Sequence, residues 1–500
     1  MLSKVTTVAH LGLNSQLIEV ETDLRNGLPA FIVVGLPDKS VEEAKERVRS
    51  AIKNSGLNLP PKRITQNLAP ADLPKVGSSY DLAMAVGLLA ATGQIENIDK
   101  DWLFYGELAL DGSTRKINGA LSAGQIAAES GLTKLFISES VADQAAFCEN
   151  IEVYPVKNLR QLYQHLIGET IIKPVENQQL PALINKVEID MAQIYGQQQA
   201  KRAIEVAISG DHNILLNGAP GSGKTMLAKA AAGLLPRPSK EEMLEITKVH
   251  GLAGNNTDSI ITSRPFRSPH HTTSDIALIG GGQWPKPGEV SLAHRGILFL
   301  DELPEFPRHV LEVMRQPIED GVITISRAKA SLNFPAQFML IAAQNPCPCG
   351  YAGDPIVECQ CSLSQITKYQ RKISGPLLDR IDLVINVSRV KEDDLIKQNK
   401  SESSKEVAER ISAARKLQSK RFDLTHTKTN AQMTNQQIKK YCKLDEKTQN
   451  LAKSAITRLG LSARSFMRTL KVARTIADLD SSNRILTNHL AEALQYRHSI

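Results

Sequence analysis

At 500 residues the chain is long enough for several packed domains, and with 42% hydrophobic residues and no apolar run of spanning length it does not read as a membrane protein. Met1 to Leu13 lacks the apolar core of a secretory signal, and six cysteines are too few for a disulfide scaffold, so the expectation is a cytoplasmic protein with no membrane contact. The net charge of +7 is modest, but Lys391 to Ile500 alone carries about ten more basic than acidic residues, which suits either a nucleic-acid surface or a solvated helical face.

From Met1 to Gly168 short apolar runs, Phe31 to Val34 and Leu135 to Ile137, alternate with helical patterns, as in a compact α/β domain (1–168). After Pro37, Ser40 and Glu43 have capping-box spacing, and Val41, Ala44, Val48, Ala51 and Ile52 recur on one helical face. Residues 169–186 include two prolines and no periodicity, and read as a linker. A core domain (187–390) and a basic helical domain (391–500) follow.

The core carries the chemistry. Asn213 to Leu216 is a buried-strand pattern, followed by Gly218-Ala219-Pro220-Gly221-Ser222-Gly223-Lys224-Thr225 and a helical run to Leu235. In that order of strand, glycine loop and helix, backbone N–H groups close around phosphates, Lys224 reaches the outer phosphates and Thr225 offers a hydroxyl to Mg²⁺. His270 and His271 lie beside Pro269 and read as loop residues, not metal ligands. Gly296 to Leu300 is a second buried strand that ends on Asp301, placed to hold Mg²⁺, and Glu302, placed to activate water for ATP hydrolysis. Val322 to Ile325 and Ser331 to Phe334 form a hairpin pattern with Arg327 and Lys329 near its tip, suited to DNA phosphates or to a solvated turn. Cys347, Cys349, Cys359 and Cys361 form two C-x-C pairs that could close a Zn²⁺ site or remain four reduced thiols.

These motifs, with Ile194 to Gln197, Arg264 to His271, Pro287 to His294, Leu300 to Phe306 and Gln344 to Gly350, resemble the ComM (YifB) subfamily of magnesium-chelatase-like AAA+ ATPases almost end to end. The resemblance implies an α/β fold in three parts: an N-terminal Lon-protease-like (S5-type) domain, an AAA+ P-loop core with a parallel sheet, and a C-terminal helical lid. It also implies that Ile194, Tyr195 and Gly196 line the adenine pocket and that Asn345 is a water-positioning sensor. Arg380, in Ser374 to Asp382, would be an arginine finger for a neighbouring subunit. Arg464 would be the lid's second sensor, with Arg468 one turn further on. In the Lon-like part Ser79 falls near the serine position, but Ile117 to Ser122 holds no lysine where the base belongs and Lys116 is out of register, so peptidase activity is not expected.

By resemblance, the expected function is that of a homo-hexameric DNA translocase, a branch-migration helicase in homologous recombination during natural transformation. It would use ATP and Mg²⁺, bind single-stranded or branched DNA and work with recombination proteins. The alternative is a chelatase-type motor that remodels a protein partner.

Overall fold

The computed structural model describes residues 2–176, 188–254, 260–282, 285–327, 330–390, 402–422 and 427–497. Lys329 and most of the expected linker lie outside these residues, as do the side chain of Arg327 and the first residues of the C-terminal basic region. The described chain divides into two units, Met1–Ala182 with Met243–Thr262, and Leu183–Glu242 with Ser263–Ile500.

The first unit is built on a seven-stranded mixed sheet in the order Ala30–Val34, Arg63–Ala69, Asn14–Arg25, Leu2–Leu11, Trp102–Tyr105, Lys134–Ser138, Glu152–Val156. Asn14–Arg25 runs antiparallel to both neighbours, and the other pairings are parallel. Its alternation buries Ile18, Val20 and Thr22 on one face, as a period of two requires. The helix Lys39–Asn54 buries Val41, Ala44, Val48, Ala51 and Ile52, the five residues of the predicted stripe. Its cap differs from the expected capping box: Asp38, in extended backbone, accepts the Val41 N–H at 2.9 Å, and Ser40 is already inside the helix. The helix Asp81–Ala91 is buried almost all round, and its Asp81 pairs with Arg47 at 2.7 Å. Burial pushes the Asp81 carboxyl up to about 6, against the pull of Arg47.

The second unit has a five-stranded, all-parallel sheet in the order Phe266–Arg267, Ile297–Leu300, Met339–Gln344, Ile214–Asn217, Leu383–Asn386. Ile297–Leu300 and Met339–Gln344 are buried along their whole length, so they read as unbroken apolar runs instead of alternating ones. Gly296 enters the sheet where no side chain fits, because a Cβ there would lie 1.9 Å from the Pro265 carbonyl oxygen.

Among the described residues five α-helices, Ser404–Phe422, Asn435–Tyr441, Glu446–Leu459, Ala463–Leu479 and Thr487–Gln495, make up the C-terminal region. They dock on the helix Gln198–Gly210 through Arg410 to Glu205 at 2.5 Å, Arg202 to Glu492 at 2.9 Å and the Gln418 amide to the Ser209 carbonyl at 2.8 Å. Part of the basic excess is therefore internal: Arg421 and Arg474 both clasp the buried Asp478. Lys439, Lys440, Lys443, Lys447, Lys453 and Arg458 remain exposed. Among the described residues no helix is long and apolar enough to cross a membrane.

Candidate functional site

The strand Ile214–Asn217 delivers the chain to Gly218, and the helix Lys224–Leu234 begins where the loop ends. Gly221 and Gly223 have φ of 75° and 87°, in the left-handed region that only glycine enters freely, and a Cβ on Gly221 would meet nothing within 4 Å. The loop thus presents backbone to open space ahead of a helix N-terminus, the arrangement that receives phosphate. Lys224 is buried, and its ammonium donates to the carbonyls of Gly218 (2.7 Å) and Ala219 (3.0 Å) and to Asn345 Oδ1 (3.2 Å). All three acceptors are neutral. Burial lowers the Lys224 pKa, with Asp301 and Glu302 pulling the other way, so a desolvated cation is held ready for an anion.

The strand Ile297–Leu300 places Asp301 opposite the loop. One carboxylate oxygen accepts the Thr225 hydroxyl at 2.9 Å and the other accepts the Glu302 N–H at 2.9 Å. Thr225 and Asp301 therefore converge as a hydroxyl and carboxylate pair, a hard oxygen donor set that fits Mg²⁺. Glu302 has φ of 51°, a strained backbone for a non-glycine residue, and its side chain is half exposed. His271 Nδ1 lies 3.3 Å from Glu302 Oε2, and its ring packs edge-on to Phe306. In sequence His271 reads only as a loop residue. The only local signal was the doublet after Pro269, because the contact joins residues on separate segments.

Of the residues expected around adenine, Ile194 is buried, Tyr195 is half-buried and Gly196 has φ of 62°. The next residue, Gln197, reaches the loop: its amide donates to the carbonyls of Ser222 and, at 3.2 Å, Ser388.

Arg380 and Arg464 are placed elsewhere. Arg380 precedes the strand Leu383–Asn386, and the Asp382 N–H bonds the Asn213 carbonyl at 2.9 Å, at the amino-terminal ends of the parallel strands. Gly218, Asp301 and Asn345 all follow the carboxyl-terminal ends. Arg380 is buried, donates to the Pro376 carbonyl at 2.5 Å and pairs with Glu319 at 2.6 Å. Hydrogen bonding from Arg380 holds the Glu319 carboxyl below its ordinary value, with Arg464 and Arg468 adding to the effect. Arg468 is occupied by Asp382 at 2.8 Å and by the Arg380 carbonyl at 3.0 Å, and Arg464 is exposed.

The remaining predicted residues fall in three places. Val322–Arg327 and Ala330–Pro335 pair as an antiparallel hairpin, with Arg327 at the end of its strand. Cys347, Cys349, Cys359 and Cys361 converge in the loop after Asn345. In the first unit the Ser79 carbonyl accepts the Gly106 N–H at 3.0 Å, and Lys75, fully buried, donates its ammonium to the Pro70 carbonyl.

A parallel sheet with a phosphate cradle, a strand-end Asp-Glu pair and a helical region docked behind it defines an AAA+ ATPase, a class that implies ATP and Mg²⁺. Residues 190–395 match the family described as magnesium chelatase, subunit ChlI; residues 20–140 match subunit ChlI of Mg-chelatase, and 401–497 the ChlI C-terminal family. Competence protein ComM of Haemophilus influenzae is 43% identical over 505 residues, covering 99% of this chain and 97% of that protein. YifB of Escherichia coli is also 43% identical, with the same coverage. The magnesium-chelatase subunit ChlI of Porphyra purpurea is 27% identical over 31% of this chain and 50% of its own length. The chain belongs to the ComM/YifB family of magnesium-chelatase-like AAA+ proteins.

Proposed function

We propose that the protein works as a hexameric ring that hydrolyses ATP to move DNA and migrate branched junctions, serving recombination during natural transformation. The separation of Arg380 and Arg464 from the phosphate cradle carries this reading. The strand Ile214–Asn217 alone spans about 10 Å between them. An arginine at the amino-terminal edge serves a cradle at the carboxyl-terminal edge only when the cradle belongs to another copy, and such head-to-tail contacts close into a ring.

In this reading the backbone of Gly221 to Thr225 and the Lys224 ammonium bind the phosphates. Thr225 and Asp301 hold Mg²⁺, which supplies positive charge to the terminal phosphates. Glu302 takes the proton of the attacking water, Asn345 orients that water, and Arg380 of the adjacent copy neutralises charge developing on the phosphoryl oxygens. Glu319, the partner of Arg380, lies just ahead of the hairpin that starts at Val322, so movement of the finger reaches the hairpin root. DNA as the track is supported by the exposed lysines of the C-terminal helices, by Arg327 at the hairpin, and by the name of the Haemophilus relative, a competence protein.

The test is ATP turnover with and without branched DNA, together with resolution of a labelled junction. Wild type is expected to be stimulated and to resolve the junction, and Lys224→Ala and Glu302→Gln to do neither. Turnover indifferent to polynucleotide and to dilution would overturn the motor, and stimulation by a protein partner alone would favour a chelatase-type machine.

A further inference from the structure

The four cysteines after Asn345 stand in a loop that runs to Ser362 with no helix or strand of its own. Their sulfurs lie 3.3 Å (Cys347–Cys349), 3.7 Å (Cys347–Cys359) and 3.6 Å (Cys349–Cys359) apart, and all four fall within 4.8 Å of one another. A disulfide needs about 2.05 Å. Four thiolates about 2.3 Å from one tetrahedral zinc sit about 3.8 Å apart, close to the observed spacing. Backbone N–H groups also point at sulfur: Cys349 donates to Cys361 Sγ at 3.4 Å and Ala352 to Cys347 Sγ at 3.3 Å. Such donors stabilise thiolate charge and orient ligands around a metal.

The loop is packed against the phosphate cradle. Gly350, just past the first cysteine pair, has φ of 87°, and a Cβ there would lie 2.5 Å from Pro220 Cδ and 3.9 Å from Asn345 Cγ. Its backbone therefore rests on the cradle's proline beside the residue expected to position water. On the far side Asp354 pairs with Arg389 at 2.8 Å, and the Arg389 guanidinium lies over the Tyr351 ring at 5.4 Å. Gly218 closes the clasp, for a Cβ there would lie 2.4 Å from the Val387 carbonyl oxygen.

We propose that Cys347, Cys349, Cys359 and Cys361 bind one Zn²⁺ as thiolates, and that the metal-fastened loop braces Pro220 and Asn345 in the geometry that receives nucleotide. Binding releases the four thiol protons and changes no oxidation state. Loss of the metal weakens nucleotide binding although no phosphate contact is removed.

The experiment measures zinc by elemental analysis and the affinity of a fluorescent ATP analogue, without DNA, in the full-length protein. Wild type is expected to hold about one zinc per chain and, after cobalt exchange, to show the absorption of tetrahedral thiolate ligation. The double variant Cys359→Ser, Cys361→Ser is expected to lose zinc and to bind the analogue about tenfold more weakly. Gly350→Ala is expected to keep its zinc and show the same weakening, which separates the brace from the metal and decides the question if the double variant fails to fold. No stoichiometric zinc in folded wild type overturns the metal site, and wild-type affinity in Gly350→Ala overturns the brace. Neither measurement involves DNA, so failure here leaves the translocase standing, and failure of the translocase leaves this site standing.

Discussion

Replacing Arg380 by alanine separates what that residue does for its own chain from the role proposed for it toward a neighbour. In its own chain the guanidinium is 7% exposed and pairs at 2.6 Å with Glu319, which is 42% exposed. Two such charges attract by about 4 kcal/mol at an intermediate effective dielectric, but the stranded carboxylate regains water on its open side, so the net loss of stability is about 1–2 kcal/mol. Across an interface the same guanidinium would act on transition-state charge, and its removal is expected to slow hydrolysis roughly 10³-fold, or about 4 kcal/mol, with nucleotide binding nearly unchanged. Glu319→Gln is the control: it breaks the same ion pair but keeps the guanidinium, so it should cost at least as much stability, because the stranded charge is now the buried one, and spare most of the turnover. Mixing provides the decisive assay. Arg380→Ala keeps an intact cradle and Lys224→Ala keeps an intact finger, so equal amounts assembled at random should create about a quarter of interfaces with both parts intact. Phosphate release should reappear on mixing two nearly inactive proteins. If it stays absent in rings shown to contain both variants, or if Arg380→Ala alone turns over normally, the finger is misassigned.

Lys224→Ala is expected to abolish binding of an ATP analogue, and Glu302→Gln to retain it while losing roughly 10²-fold or more in turnover, checked by analogue fluorescence beside phosphate release. Replacing Lys439, Lys440 and Lys443 by glutamine should reduce the slope of log affinity for DNA against log salt by up to about three, and an unchanged slope would place the DNA track elsewhere. Asp382 gives an acid-stability prediction. Burial raises its pKa, but His212, with Nδ1 3.4 Å away, and the Arg468 charge outweigh burial and hold it below the ordinary carboxylate value. Its stabilising contribution is therefore fully present above about pH 4 and is lost as pH falls through the lower folded value. Urea unfolding across pH 2 to 6 should show a steeper acid loss in wild type than in Asp382→Asn.

The parts of this molecule legible in its sequence are those governed by local periodicity. The stripe from Val41 to Ile52 is buried residue for residue, and the strand, glycine loop and helix around Lys224 appear in the order read. What stayed hidden depends on contacts between distant segments. His271 beside Glu302 and Glu319 beside Arg380 have no period or spacing to announce them. The positive excess of the C-terminal region looked like surface because composition cannot tell Arg410, Arg421 and Arg474, spent on Glu205 and Asp478, from the lysines that face solvent. Within the range assigned to the ATPase core, the described residues 243–254 and 260–262 cluster with the first unit, and nothing in their composition marks that allegiance.

A parallel sheet gives this architecture its directionality. All five strands of the second unit point the same way, so their carboxyl-terminal ends gather Gly218, Asp301 and Asn345 on one edge, and the opposite edge receives Arg380, Asp382 and Arg468. The three central strands are buried, and Ile214 to Asn217 carry neighbours in register on both sides, so neither edge shifts easily without the other. An antiparallel sheet would mix the two kinds of strand end on both edges and lose this polarity. In a head-to-tail ring the same polarity would make every subunit a donor at one edge and an acceptor at the other. Glu319, which pairs with Arg380 and leads into the hairpin, would then be the residue through which occupancy of a neighbour's cradle reaches that hairpin.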